Sequence, residues 1–555
     1  MTKPNILLIL NDDMGFSDLG CYGGEVHTPN LDGLAAEGLR YTQFYNTARC
    51  CPSRASMLTG MYPHQADVGH MMSDDGIDGY LGDLNPNTVT IAEALKRGGY
   101  ATYMSGKWHV TRHVNGPKHN WPVQRGFDDF YGIITGAANY FQPRTLTRNN
   151  ERIVPEGDDY FFTDAISEEA VRQIREHTAS GQERPFFQYV AYTAPHWPLH
   201  AHEEDIAKYR GRFDAGWDRL REERLQRMIE MGLIHENWRL SERDPSVWPW
   251  EEAEDKEWQA RRMEVYAAQI DRMDQGIGRI LDALKETGCW ENTLIVFLAD
   301  NGGCAEELGD CRDWIATGFE QVGTLQTRNG RDVRFGNFPD ISPGGEESYA
   351  SYGVPWANVS NTPFRLYKHW VHEGGIATPF IVHWPAEISA DGELRHQPAQ
   401  LPDLMATFLD VAGVDYPAEY NERAIKPLEG VSLSPTFADR PHNREVLYWE
   451  HEGNRAVRRG KWKLVCKYPG AWELYDMEAG RTELADLSGE HPEIVRALAA
   501  LYDAWAERCE VTPWQELLDH RESRKDLVGK ATDAAAASGL FLPGVGGRAA
   551  QAESS

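Results

Sequence analysis

Asn5-Ile6-Leu7-Leu8-Ile9-Leu10-Asn11-Asp12-Asp13 is the stretch from which the fold can be read. Apolar residues run from Ile6 to Leu10 without a polar break and then meet short oxygen-bearing side chains. The run is too short for a membrane-spanning helix, and no small-residue cleavage site follows it. It reads as a buried strand, and a strand without alternation suits a sheet covered on both faces. The same grammar recurs along the chain. Residues 100–104 lead into Gly106-Lys107-Trp108-His109, residues 186–192 into Ala194-Pro195-His196, and residues 294–298 into Asp300-Asn301-Gly302-Gly303. Helical stretches lie between them, for example 88–97 and 263–286. Strand alternating with helix predicts an α/β fold with a large, mostly parallel central sheet. Ligands of such sheets bind at the carboxyl ends of the strands, so the polar clusters are expected on one edge.

Farther along, residues 421–444 read as loop. Short strand-like runs follow at 445–450, 455–458, 461–467 and 472–475, and then a helix at about 491–507. This predicts a smaller C-terminal α+β domain with an antiparallel sheet. The expected division is a catalytic domain at 1–430, the small domain at 431–520 and a tail at 521–555. From about Ala531 the tail is rich in Ala, Gly and Ser. It reads either as disordered or as an arm on a second copy, which leaves a homo-oligomer open. Residues 217–258, charged and Trp-rich, read as an excursion on the sheet framework.

The 555 residues carry a formal net charge of −29, with 41% hydrophobic and 25% charged residues. That acidity argues against nucleic acid, anionic membranes and long polyanions as partners. A small anion is not excluded, because a local basic pocket overrides the global field. Eight scattered cysteines without a Cys-x-x-Cys spacing make neither a disulfide framework nor a zinc site. With no secretory signal visible, a cytoplasmic location is the expectation.

The sharpest local signal is Cys50-Cys51-Pro52-Ser53-Arg54-Ala55-Ser56-Met57-Leu58-Thr59-Gly60. Pro52 suits the first turn of a helix and Gly60 its end. Cys50 thus stands at a helix N-terminus, where free N–H groups and the dipole favour an anion. Arg54 adds a full charge one turn on. Asp12, Asp13, Asp300 and Asn301 form a second group, supplied in pairs by two strand ends. Carboxylates this close would repel unless a cation sat among them. An all-oxygen set without His or Cys points to a hard divalent ion. Lys107 and His109, His196, and Lys368 ahead of Glu373-Gly374-Gly375 are each unremarkable alone.

Taken together, these segments resemble the type I, formylglycine-dependent sulfatases of the alkaline phosphatase superfamily. Cys50-x-Pro52-Ser53-Arg54 with its trailing Thr59-Gly60 matches the family signature. The resemblance runs from about Pro4 to about Glu507 and is nearest to the cytoplasmic bacterial arylsulfatases. Stretches such as His196-Trp-Pro-Leu199, Tyr209-Arg-Gly-Arg212 and Met263-Glu-Val-Tyr-Ala-Ala268 belong to it.

The resemblance implies an α/β/α sandwich with a small C-terminal domain. It implies that a maturation enzyme oxidises Cys50 to formylglycine (3-oxoalanine), whose hydrate is the nucleophile. Cys51, lacking Pro at +2 and Arg at +4, is read as a packing residue. Asp12, Asp13, Asp300 and Asn301 become the ligands of one calcium ion, with an oxygen on residue 50 completing the shell. Lys107 and Arg54 stabilise the charged nucleophile, and His109 takes a proton from its second hydroxyl. His196 and Lys368 hold the sulfate and help the leaving group. The implied activity is hydrolysis of small sulfate monoesters, aryl esters above all, through a covalent sulfated enzyme that breaks down by elimination. Two other readings stay open: a phosphonate monoester or phosphodiester hydrolase using the same site, and a calcium-stabilised binding protein that has lost catalysis.

Overall fold

The computed structural model describes residues 3–181, 183–317, 321–389 and 392–528. Seven strands of its eleven-stranded central sheet position the site. They are β1 (Asn5–Asn11), β2 (Leu39–Tyr45), β3 (Ala101–Lys107), β4 (Asp129–Ile133), β5 (Phe186–Ala191), β6 (Thr293–Ala299) and β7 (Ala377–His383). Their order is β2-β7-β6-β1-β5-β3-β4. β1 lies in the middle and is parallel to β5 and β6, pairing Ile6 with both Phe187 and Leu294. β3 is parallel to β5 and β4. β7 runs antiparallel to both β6 and β2, so the sheet is mixed at this side.

Both faces of β1 are covered, as its unbroken apolar run requires. Leu7 and Ile9 enter one core, and Ile6, Leu8 and Leu10 enter the other. Helices Phe162–Ala179 and Lys256–Glu286 supply the first core with Ile166, Ile174, Met263 and Ile270. Helices Cys50–Thr59, Ile91–Arg97 and Pro402–Ala412 supply the second with Met57, Leu58, Leu95 and Phe408. The Ile91–Arg97 helix starts on a capping box. Thr90 Oγ1 accepts from Glu93 N at 3.1 Å, and Glu93 Oε2 accepts from Thr90 N at 2.7 Å.

Gly106 in β3 has φ +114°, and a Cβ built on it would lie 1.9 Å from Ala191 O. Only glycine lets β3 and β5 approach so closely just before Lys107.

The four expected C-terminal strands are present: β8 (Val446–His451), β9 (Asn454–Arg459), β10 (Trp462–Cys466) and β11 (Glu473–Asp476), in an antiparallel meander. Helix Pro492–Arg508 packs on it through Leu498, Tyr502 and Trp505 against Val457, Leu464 and Leu474. A further helix, Trp514–Val528, spans the end of the expected small domain and the start of the expected tail. The rest of that tail lies outside the described residues. No helix among the described residues is long and apolar enough to cross a membrane.

A buried ion cluster ties the small sheet to the large one. Lys463 Nζ lies 2.9 Å from Glu373 Oε1 and 2.8 Å from Glu483 Oε1. Arg481 Nε donates to Glu373 Oε2 at 2.9 Å, and Tyr45 OH donates to the same oxygen at 3.0 Å. Glu373 and Lys463 are fully buried. Removing one member strands an uncompensated charge, at a cost of roughly 3–5 kcal/mol. Lys463→Met is therefore expected to lower the urea midpoint by that equivalent, whereas a loss under about 1 kcal/mol would show the cluster to be solvated.

Candidate active site

Strand direction decides which residues meet. The parallel strands β1, β3, β5 and β6 point their carboxyl ends to one edge, delivering Asp12-Asp13, Lys107, the loop to His196, and Asp300-Asn301. β2 is antiparallel to β7, and β7 to β6, so β2 also ends at this edge, and helix Cys50–Thr59 follows it. For the same reason β7 begins there, which places the preceding loop with Lys368 at the edge. All ten residues singled out in the sequence are thus brought to one site, and all are buried.

Cys50 is the first residue of its helix, and Gly60 closes that helix in the left-handed conformation, φ +70°. The thiol pKa is pulled well below its ordinary value. A hydrogen bond from Cys51 contributes most, and the ammonium groups of Lys107 and Lys368 add to it against the opposing effect of burial. Cys51 packs its Sγ near Met71 Sδ, 3.5 Å away. Burial pushes His109 down to about 4, so it is a neutral ring able to accept a proton. Asp13 and His109 hold left-handed backbones, φ +68° and +53°. Such strain persists where surrounding structure imposes it, and it concentrates at functional sites.

The carboxylates are individually paired. Lys107 Nζ contacts Asp12 Oδ2. Arg54 reaches Asp300 Oδ2 through Nε at 2.9 Å and through its second terminal nitrogen at 2.8 Å. Lys368 Nζ lies 2.7 Å from Asp13 Oδ1, and His196 Nε2 lies 3.4 Å from Asp13 Oδ2. Burial opposes ionisation of Asp12, but Lys107, His196 and Arg54 hold its pKa below the ordinary carboxylate value. Burial alone would lower the pKa of Lys368. Asp13 and the neighbouring acidic groups reverse this and push it well above its usual value, so its ammonium stays protonated.

This geometry corrects one step of the sequence argument. Three carboxylates and three side-chain cations balance, so repulsion alone does not demand a metal. The stronger signal is unsatisfied oxygen: Asp12 Oδ1 and Asn301 Oδ1 are buried without any hydrogen-bond partner. Asn301 Nδ2 donates to Asp13 Oδ1 at 2.7 Å, so the amide oxygen is turned away from that contact. Orphaned carboxylate and amide oxygens beside Asp13 and Asp300 are donors of the kind that a hard cation would take. A divalent ion there would leave the site net positive, as capture of an anionic ester requires.

Two residues were not legible in the sequence. Glu306 accepts from Trp197 Nε1 at 2.7 Å and pairs with Arg49 at 2.9 Å, joining the His196 loop to the residue before Cys50. Burial raises its pKa, but Lys368 and Arg49 overcome this and hold it at about 2. It sits in no motif, and only the fold brings it to the edge.

The model described as Sulfatase matches residues 4–414. The chain belongs to the sulfatase family. A second model, described as N-sulphoglucosamine sulphohydrolase, C-terminal, matches residues 364–504 of this sulfatase. An uncharacterized sulfatase of Schizosaccharomyces pombe is 33% identical to it over 530 residues, 89% of this chain and 92% of that protein. An arylsulfatase of Klebsiella aerogenes is 34% identical over 449 residues, 78% of this chain and 91% of its own. Among solved structures, Ps i-CgsB in complex with k-i-k-neocarrahexaose matches with a TM-score of 0.65 at 24% identity, covering 92% and 94% of the two chains. The fold is the expected alkaline-phosphatase-like α/β sandwich with a C-terminal antiparallel sheet, and this sulfatase is a sulfuric ester hydrolase.

Proposed function

We propose that this sulfatase cleaves aryl sulfate monoesters with a hydrated aldehyde made from Cys50 and one calcium ion held by Asp12, Asp13, Asp300 and Asn301. The observation that carries this reading is the convergence, on one sheet edge, of Cys50 at a helix N-terminus, the cations Arg54, Lys107 and Lys368, and orphaned oxygens of a hard-cation set. The aryl preference is supported by the likeness to the Klebsiella aerogenes arylsulfatase. Here the side chain of residue 50 is the unmodified thiol, and its Sγ stands where an oxygen of the hydrate would be. When present, the hydrate would supply a nucleophilic oxygen, and a bound calcium ion would supply positive charge to offset that of the anionic ester.

The remaining roles belong to this chain's own side chains. Lys107 and Arg54 fix the carboxylates of the cation site and offset negative charge on the nucleophile. His109, a neutral ring at residue 50, receives the proton of a hydroxyl there. His196 Nδ1 lies 2.6 Å from Trp197 O, a carbonyl that can only accept, so Nδ1 carries a proton and Nε2 faces the reacting groups. Lys368 and His196 approach Asp13 from the same side and hold positive charge or a proton for the departing oxygen.

Expelling an oxygen from sulfur leaves negative charge on it, and assistance matters more as that oxyanion becomes more basic. General acid assistance is worth about 10²–10⁴-fold. His196→Ala and Lys368→Ala are therefore expected to slow sulfate esters of weakly acidic phenols far more than nitrophenyl sulfate. A plot of log rate against phenol pKa should be steeper in both variants than in the parent. Parallel lines would mean that the two residues only bind sulfate. Comparing matched sulfate and phosphonate esters on the parent enzyme tests the ester class: faster phosphonate cleavage would overturn the assignment to sulfate.

A further inference from the structure

A second cluster of ligating groups lies where the turn between β8 and β9 meets the loop that carries Lys368. His369 Nδ1 is 3.2 Å from Glu452 Oε2, and His451 Nε2 is 3.7 Å from Glu452 Oε1. One ligand atom from each residue lies within 4.8 Å of the other two. His369 is 4% exposed and His451 0%. His369 Nδ1 and both ring nitrogens of His451 have no hydrogen-bond partner. Buried nitrogens left unpaired are costly, and three of them on two rings beside one carboxylate require a cause.

We propose that His369, His451 and Glu452 bind a second divalent ion, of the zinc class, separate from the all-oxygen site at Asp12. Two imidazole nitrogens and one carboxylate oxygen form a borderline-soft set, suited to zinc and poorly suited to calcium. Neighbouring ligands of a tetrahedral ion with bonds of about 2.0–2.1 Å stand about 3.3 Å apart; the two nitrogen-to-carboxylate separations, 3.2 and 3.7 Å to the two oxygens of Glu452, are near this, and the three ligand atoms lie within 4.8 Å of one another. An outer layer that orients the carboxylate is already built. His70 Nε2 donates to Glu452 Oε1 at 2.8 Å, and Arg521, itself paired with Asp75, donates to His70 Nδ1 at 2.8 Å. This fixes the His70 tautomer and leaves Glu452 the acceptor. Burial lowers the pKa of both His369 and His451, favouring the neutral, ligating ring. One contact has to yield: the Asn454 amide nitrogen, 3.3 Å from His369 Nε2, would face an N–H once Nδ1 is metal-bound.

The ion staples the C-terminal hairpin to the catalytic loops. His369 follows Lys368, and its N–H donates to Ala48 O at 2.8 Å, two residues before Cys50. The test uses matured full-length enzyme, stripped of metal, reloaded with calcium and titrated with cobalt(II) as a visible substitute for zinc. One cobalt per chain is expected beyond calcium, with the intense visible absorption of a four-coordinate site, and zinc should displace it. The signal should disappear in both His451→Gln and Glu452→Gln, with calcium content unchanged. If one variant does not fold by circular dichroism, the other decides. The proposal is overturned by absence of stoichiometric cobalt uptake in the parent, or by uptake that survives in a folded variant. Near-ultraviolet sulfur-to-cobalt bands would also overturn it, because in matured enzyme they assign the ion to a cysteine such as Cys51, which lies with His109 in a separate group.

Discussion

Cys50→Ala is expected to lower kcat/KM by more than about 10⁴-fold, because it removes the group from which the nucleophile is made. The substitution is mild for the fold. Residue 50 opens its helix, alanine is a good helix former, and the helix remains anchored by Met57 and Leu58 in the core and by Arg54 on Asp300. Thermal unfolding should therefore be nearly unchanged while activity disappears. Cys51→Ser is the internal control. Cys51 packs toward Met71 and the His70 carbonyl and lacks the Pro52 and Arg54 spacing, so activity should stay within a few-fold of the parent. If Cys51→Ser instead abolished turnover and Cys50→Ala did not, the nucleophile would have been assigned to the wrong residue.

Asp12→Asn is expected to cut activity by about 10²-fold or more, with partial recovery at high calcium. Asp12 has one oxygen on Lys107 and one buried oxygen with no partner, so the carboxylate is built to meet an ion on its free side. The amide keeps the shape, removes one charge and leaves Lys107 without its counter-charge. Two measurements read the effect together: the calcium bound per chain and the rate as calcium is added back. Loss of rate with undiminished calcium affinity would show that Asp12 serves Lys107 alone. Full activity after verified metal depletion would remove calcium from the account.

The middle of the sheet and most of the site were legible because they obey local rules. The run Ile6 to Leu10 has no alternation, and its neighbours in space cover both faces. Pro52 and Gly60 bracket the helix that Cys50 opens. Strands β2 and β7 were not read from the sequence. β2 mixes Arg40, Thr42 and Gln43 among its apolar residues, and β7 contains Pro379, which lacks a ladder donor. In the structure that proline falls at the break in register between Thr378 and Phe380, so the strand tolerates it. These two strands decide that Cys50 and Lys368 reach the same edge as Asp12, a placement that the family signature implied and local pattern did not. The partnership of Glu306 with Arg49 and Trp197, and the His369, His451 and Glu452 group, join segments far apart in sequence through side chains that follow no periodic rule.

The most direct test of the account is peptide mass spectrometry at residue 50 of enzyme that is turning over sulfate ester. The predicted result is a peptide in which Cys50 has lost its sulfur and two hydrogens and gained one oxygen, with Cys51 intact as a thiol, in proportion to specific activity across preparations. An active preparation in which Cys50 is wholly a thiol would contradict it.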